Sequence, residues 1–278
     1  MATLLFSGSL GDELNIIPIV RVLSFRNNGL TVRTRFSELF SRNPYVIHDQ
    51  EDTVHSHPLY VLRFAVGKEL EKHMMDHYAD LVGIKLENRE MDLYLDMDPN
   101  SDDAVTFPMH IFERRKVIAI DPKAGWPSRQ WGYDRWTTLV DELKKRGHMV
   151  IEIGATWRNC FGELLNQRLS NVNYSFVDRL TIRQTAYVLT NCSTFIGNDS
   201  GCSHLAAAVG IPSVTLYGPI NPRSRKHPTT VPIYAGSCSK CNLMTHSEKC
   251  PEGHHNCMEK IQVQDVLDKI DKFLGGLQ

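Results

Sequence analysis

What this chain of 278 residues lacks narrows the choices first. It has no apolar run of the roughly 18 residues that a membrane-crossing helix needs, so no transmembrane segment is expected. It has almost no net charge: 31 Lys and Arg stand against 32 Asp and Glu, a formal −1. No global attraction to nucleic acid or to an anionic membrane follows from that balance. The opening MATLLFSGSLGDELN has no basic stretch followed by a long apolar core, so it does not read as a secretory leader. The expectation is a cytoplasmic protein. The cysteines do not form an even framework: there are seven. Cys238, Cys241, Cys250 and Cys257 cluster near the end, which suggests thiolates or a metal rather than disulfides.

What is present is centred on residues 193–221, STFIGNDSGCSHLAAAVGIPSVTLYGPIN. A β-prone run reaches Gly197-Asn198-Asp199-Ser200-Gly201. A small-residue helix then carries His204 to Ala208, where Gly210 and Pro212 stop it. A second apolar run ends at Tyr217. This is strand, polar glycine turn, helix, strand, the signature of a parallel crossover. Such a turn places backbone amides and a helix N-terminus at the carboxyl edge of a sheet, where anions and nucleotides bind in open α/β folds. Asp199 and Ser200 could instead do no more than cap the helix. Helical spacing puts Ser200 and His204 on one face. His204 reads either as a ligand contact or as a helix–sheet packing residue.

The same grammar recurs. A strand at 4–7 meets Gly8-Ser9-Leu10-Gly11-Asp12 and a helix bearing Ile16, Ile17, Val20 and Leu23. Asp12 reads as the N-cap of that helix. Strands are expected at 30–34 and 45–48, a short helix from Phe36, and helical periodicity over 59–82. Arg21, Arg26, Arg33, Arg35 and Arg42 form either a solvated face or a grip on an anionic group. The acids around 92–101 read as a linker. Beyond it, KVIAI (116–120) leads to DPKAGWPSRQW, then a helix at 134–146, a strand at 149–154 and Gly154 at the edge. A further helix is expected at 161–169. The spacing Cys238-x2-Cys241-x8-Cys250-x6-Cys257 fits a tetrahedral thiolate site, with zinc or iron as a structural staple.

The 193–221 segment closely resembles the heptosyltransferase family (glycosyltransferase family nine), whose members carry a GxDSGxxHLAAAxGxPxxxLxGPxxP-like motif. The GD pair at Gly11-Asp12 and the WPSRQW segment match it as well. The resemblance implies an α/β GT-B fold: two Rossmann-like, doubly wound domains facing a cleft, the N-terminal one small. The boundaries expected are 1–105 for an acceptor-side domain, 106–262 for a nucleotide-sugar domain with the Cys-rich loop 238–257, and 263–278 for a terminal helix. It implies an inverting transfer from a nucleotide-sugar, ADP-heptose above all, to an acceptor hydroxyl. That acceptor could be a glycan, a protein or a nucleic-acid base.

By the resemblance, Asp12 is the base, with Gly11 and Glu13 on the acceptor side. Arg129 and Lys123 face the donor diphosphate. Gly154, Asp199, Ser200, Gly201 and His204 complete the donor site. Some members place a Glu on the donor ribose where this chain has Arg183. Relatives often carry a cysteine-rich segment, and some bind iron through four cysteines. No catalytic cofactor is called for, and a position at the inner face of the membrane is compatible. A GT-B-shaped sugar-nucleotide epimerase or hydrolase, and a non-catalytic nucleotide-sugar-binding module, are the alternatives.

Overall fold

The computed structural model describes residues 2–48, 59–62, 72–106, 116–158, 162–236, 250 and 253–275. The chain divides into two compact units, Met1–Leu95 and Asp96–Gln278.

In the first unit, β1 (Ala2–Phe6) lies between β2 (Leu30–Arg33) and β3 (Leu59–Leu62), parallel to both. Every second residue of β1 is buried, so Ala2, Leu4 and Phe6 share one face. Helices α1 (Leu10–Asn15) and α2 (Ile17–Asn27) follow β1. Pro18 sits in the first turn of α2, where no intrahelical donor is needed, so the chain bends without losing a hydrogen bond. Asn28, at φ 53°, closes α2 in the left-handed region. Ile17, Ile19, Val20 and Leu23 are buried as α2 packs on β1, β2 and α3 (Met74–Leu81).

The helical periodicity expected over 59–82 holds only at its end. Leu59–Leu62 is a strand, because a short continuous apolar run does not by itself distinguish helix from strand. The strand expected at 45–48 is reduced to one bridge, Leu30 to Val46. There the Tyr45 amide donates to the Asn43 side chain at 2.9 Å, a local turn that takes it out of any ladder.

The second unit is built on six parallel strands: β4 (Val117–Asp121), β5 (Met149–Glu152), β8 (Tyr174–Ser175), β9 (Thr194–Asn198), β10 (Ser213–Tyr217) and β11 (Thr230–Tyr234). They form one sheet in the order β11-β10-β9-β4-β5-β8. All five residues of β4, β9 and β10 are buried, as expected of parallel strands covered on both faces. The chain runs outward through β5 and β8, then returns to β9 beside β4. The order therefore reverses between β4 and β9, which makes their carboxyl ends the switch point.

Helix α4 (Tyr133–Lys145) buries Trp136, Leu139, Val140 and Leu143, a stripe at helical spacing. Helix α5 (Ile182–Thr190) starts with a capping box between Thr181 and Gln184. Helix α6 (Gly201–Ala208) links β9 to β10. After the short α7 (Asn256–Glu259), helix α8 (Val263–Gly275) lays Val266, Leu267, Ile270 and Leu274 into the same core. It packs on α4, β10 and β11. Trp131 joins this core, and its indole N–H donates to the Ile261 carbonyl at 2.8 Å.

The helix expected at 161–169 is absent among the described residues of that span. A two-stranded antiparallel ribbon, β6 (Trp157–Arg158) with β7 (Leu164–Leu165), takes its place. Gly162, at φ +80°, turns the chain in a way a helix does not allow.

Candidate functional site

The carboxyl edge at the switch point gathers five of the expected residues: Arg129, Asp199, Ser200, Gly201 and His204. Ladder bonding continues one residue past β9, where the Asp199 amide donates to the Leu216 carbonyl at 3.1 Å. Ser200 then adopts extended angles as the N-cap of α6. The hydroxyl that closes the cap belongs to Ser203: its Oγ accepts from the Ser200 amide at 3.3 Å. The Ser200 Oγ is buried and has no hydrogen-bond partner. Asp199 is 2% exposed, and neither carboxylate oxygen accepts a hydrogen bond.

Arg129 reaches this edge from the 3-10 turn Pro127–Arg129. Its Nη1 donates to the Asp199 carbonyl at 3.2 Å and lies 3.2 Å from Asp199 Oδ2, an ion pair without hydrogen-bond alignment. The guanidinium is stacked 4.6 Å above the Trp126 ring, which fixes its plane. His204 Nε2 lies 3.8 Å from Asp199 Oδ1. The Tyr217 hydroxyl is buried alongside. Burial pushes its pKa well above the ordinary value, and the Asp199 charge adds to the shift. Arg129, Asp199, Ser200 and His204 thus form one group, with Gly201 as the first residue of α6. Amides in the first turn of a helix have no intrahelical partners and attract anions.

Lys123 and Gly154 lie in a second group. Lys123 Nζ sits 3.8 Å from both Asp121 Oδ1 and Glu152 Oε1, and its side chain is 3% exposed. Burial raises the pKa of both acids, against the lowering pull of Lys123. Gly154, at φ +108°, lies under the Asp121 carboxylate, and a Cβ there would come 3.1 Å from Oδ1. The lysine read as a diphosphate contact is thus enclosed by two carboxylates.

In the first unit Ser9, not Asp12, is the N-cap of α1, and Asp12 is its capping-box partner. Asp12 Oδ2 accepts from the Ser9 amide at 2.9 Å and the Ser9 hydroxyl at 2.7 Å. Oδ1 accepts from the Tyr78 hydroxyl at 3.2 Å. A carboxylate offers about four acceptor positions, so Oδ1 retains room for one more donor. Gly8 has to be glycine here, because a Cβ would meet the Asp12 Cβ at 2.6 Å. Glu13 is fully buried and accepts from the amides of Arg35 at 3.0 Å and Phe36 at 2.9 Å. Burial raises its pKa. It staples the chain after β2. Gly11 lies inside α1, and its carbonyl accepts from Asn15 Nδ2 at 2.6 Å.

Among the arginines read as an acceptor grip, Arg21 pairs with Asp92 at 3.1 Å, and Arg26 donates to the Gly83 carbonyl at 3.2 Å. Arg183 forms a buried two-pronged pair with Asp103 at 2.7 and 2.6 Å. That pair pins the start of the second unit to α5.

Cys238 and Cys241 lie outside the described residues. Cys250 and Cys257 are half-buried, and Cys257 packs partly against the core. The turn between them is folded on itself: the Gly253 amide donates to the Cys250 carbonyl at 2.8 Å. His255 Nε2 accepts from the Cys250 amide at 3.0 Å.

Asp121, Glu152, Tyr217 and His227 escaped the sequence reading. The first two carried a signal, since each is an acid closing an apolar strand (VIAID, MVIE) at the edge where ligands bind. His227, in the loop before β11, carried none.

A doubly wound parallel sheet with its switch point beside the start of α6 defines an open α/β protein of the GT-B kind. Solved structures share the fold. The iron-containing dodecameric glycosyltransferase TibC of enterotoxigenic E. coli matches all of this chain and 76% of its own, with TM-score 0.75 at 20% identity. E. coli ADP-heptose LPS heptosyltransferase II matches 99% of this chain and 98% of its own, with TM-score 0.69 at 18% identity. In sequence, lipooligosaccharide heptosyltransferase 2 of Haemophilus influenzae is 26% identical over 170 residues, 58% of this chain and 48% of that protein. Lipopolysaccharide heptosyltransferase 2 of Escherichia coli is 25% identical, again over 58% of this chain and 47% of its own length. The chain spans about half the length of these curated relatives. The family model for glycosyltransferase family 9 (heptosyltransferase) matches residues 46–263. The chain belongs to that family.

Proposed function

We propose that this protein transfers a heptose from ADP-heptose to an acceptor hydroxyl, with inversion at the anomeric carbon. The observation that carries the reading is the group at the β9–α6 turn. A buried carboxylate with no hydrogen bond on either oxygen and a buried serine hydroxyl with no partner stand beside Arg129 at a helix start. Burying polar atoms without partners costs about 1–3 kcal/mol each, a cost that a bound ligand would remove. The diphosphate takes Arg129, Ser200 and the Gly201 amide. Asp199 and His204 take sugar hydroxyls and the sugar-phosphate oxygen. The family membership supports the choice of donor, as does the solved complex of TibC with ADP-D-beta-D-heptose.

Asp12 serves as base in preference to Glu13, whose two oxygens are already bonded to backbone amides. As the acceptor oxygen bonds to the anomeric carbon, its proton passes to Asp12. The bond from that carbon to the phosphate oxygen breaks, and ADP leaves with the electron pair. Arg129 and the start of α6 stabilise the leaving charge. Among the described residues no helix is long and apolar enough to cross a membrane. We place a lipopolysaccharide-type acceptor, in keeping with the names of the relatives, at the inner membrane face. A zinc or iron at Cys238, Cys241, Cys250 and Cys257 would have a structural role, tying the cysteine-rich stretch to α7.

The test is a thermal-shift screen against ADP-, UDP-, GDP- and CDP-sugars, repeated with a chelator. ADP-heptose at about 100 times its Kd should stabilise the fold by about 2.7 kcal/mol. Stabilisation by UDP- or GDP-sugars alone would refute the donor. A melting curve unmoved by the chelator, with no metal released, would refute the metal.

A further inference from the structure

His204 has a buried companion. Its Nδ1 lies 2.7 Å from Nε2 of His227. The rings meet edge to face, with centroids 5.0 Å apart and planes at 82°. The two residues are only 4% and 5% exposed. At that separation one nitrogen carries the proton and the other accepts it.

The opposite side of His204 decides which. Nε2 faces Asp199 Oδ1 at 3.8 Å, a buried oxygen that accepts no hydrogen bond. An N–H directed at a buried carboxylate is favoured over a lone pair by simple Coulomb attraction. In a neutral His204 ring, a proton on Nε2 answers that oxygen's charge. The ring's Nδ1 is left as an acceptor, and His227 Nε2–H donates to it.

We infer that His227 is a positioning residue of the candidate site. It fixes His204 as the Nε2–H tautomer and turns that proton toward Asp199 and the sugar-phosphate beside it. The inference rests on the transferase reading, in which this edge holds the leaving diphosphate, and it deepens that reading. A donor fixed in advance stabilises the charge that grows on the leaving oxygen without reorganising during the reaction. A His204 ring able to change tautomer would present a repelling lone pair instead. His227 acts on the site through His204.

The test uses the full-length chain and two readouts. Long-range proton–nitrogen NMR of the labelled imidazoles should show His204 as Nε2–H. In His227→Phe, which keeps a ring but offers no N–H, His204 should become a mixture of tautomers. With ADP-heptose, His227→Phe should lower kcat about tenfold, the range seen when a supporting partner is removed. The donor KM should stay within about twofold. His227→Gln, whose amide N–H reaches a similar position, should recover most of the rate. A wild-type His204 in the Nδ1–H form overturns the proposal. So does a His227→Phe variant with unchanged tautomer and kcat, or one that loses thermal stability while its tautomer stays fixed. The NMR arm needs no turnover. A chain inactive with every nucleotide-sugar would sink the transferase reading and leave the tautomer result to decide this one.

Discussion

Two aspartates sit at corresponding places in the two units, each just after a strand and at the start of a helix, and they are treated in opposite ways. Asp12 accepts three hydrogen bonds from its own unit. The Asp199 carboxylate accepts none, although that residue is the more buried of the two. Its compensation is charge, from Arg129 at 3.2 Å. A carboxylate held by three donors is oriented before any ligand arrives, as a base should be. A buried carboxylate left without hydrogen bonds keeps its oxygens for donors from outside the chain, the part given to sugar hydroxyls in the proposed reaction.

That contrast can be broken most sharply at Asp12. Asp12→Asn keeps the size of the side chain and removes the proton acceptor. It should lower kcat by about 100- to 10,000-fold, the range that general-base catalysis supplies, while ligand-free stability changes little. A loss of fold with no specific loss of rate would make Asp12 only a capping residue.

The next effect concerns stability alone. Asp103→Ala leaves the Arg183 guanidinium buried without its carboxylate and should cost about 3–5 kcal/mol in denaturant unfolding. Asp103 and Arg183 then count as scaffold, in contrast to Arg129. A change below about 1 kcal/mol would instead mark the pair as dispensable.

The smallest effect is a slope. Burial raises the pKa of Glu152 in the folded state. The folded chain then holds that proton more tightly than the unfolded chain does. Its stabilising share is complete below the ordinary carboxylate value of 4.5 and is lost as pH rises through the raised folded value. Glu152→Gln should flatten the decline of stability over that window, measured by urea melts at successive pH values. A slope as steep as the wild type's would show that Lys123 keeps Glu152 ionised throughout.

Much of the second unit was readable because it is written in strong local signals. The run from Thr194 through the glycine turn to Ala208, stopped by Gly210 at φ +78°, leaves little freedom for any other fold. Trp136, Leu139, Val140 and Leu143 announce α4 by their spacing alone. The signals fail where a partner distant in sequence decides. Leu59–Leu62 is a strand because β1 offers it an edge. Within the 161–169 region, Leu164–Leu165 joins a ribbon after the turn at Gly162. Lys123 looked like an available cation until Asp121 and Glu152 closed on it from two strand ends. His227 meets His204 only because β10 and β11 run side by side. Asp12 was legible as a special residue, yet the cap belonged to Ser9, since the capping box depends on which of two adjacent turns the backbone adopts.

The contrast between the two carboxylates is tested most directly by calorimetric titration of ADP-heptose into Asp12→Asn and Asp199→Asn. The first should bind with wild-type affinity and the second about tenfold more weakly, a loss of about 1.4 kcal/mol. Equal affinities, or the weaker binding at Asp12→Asn, would contradict a donor seat built around Asp199.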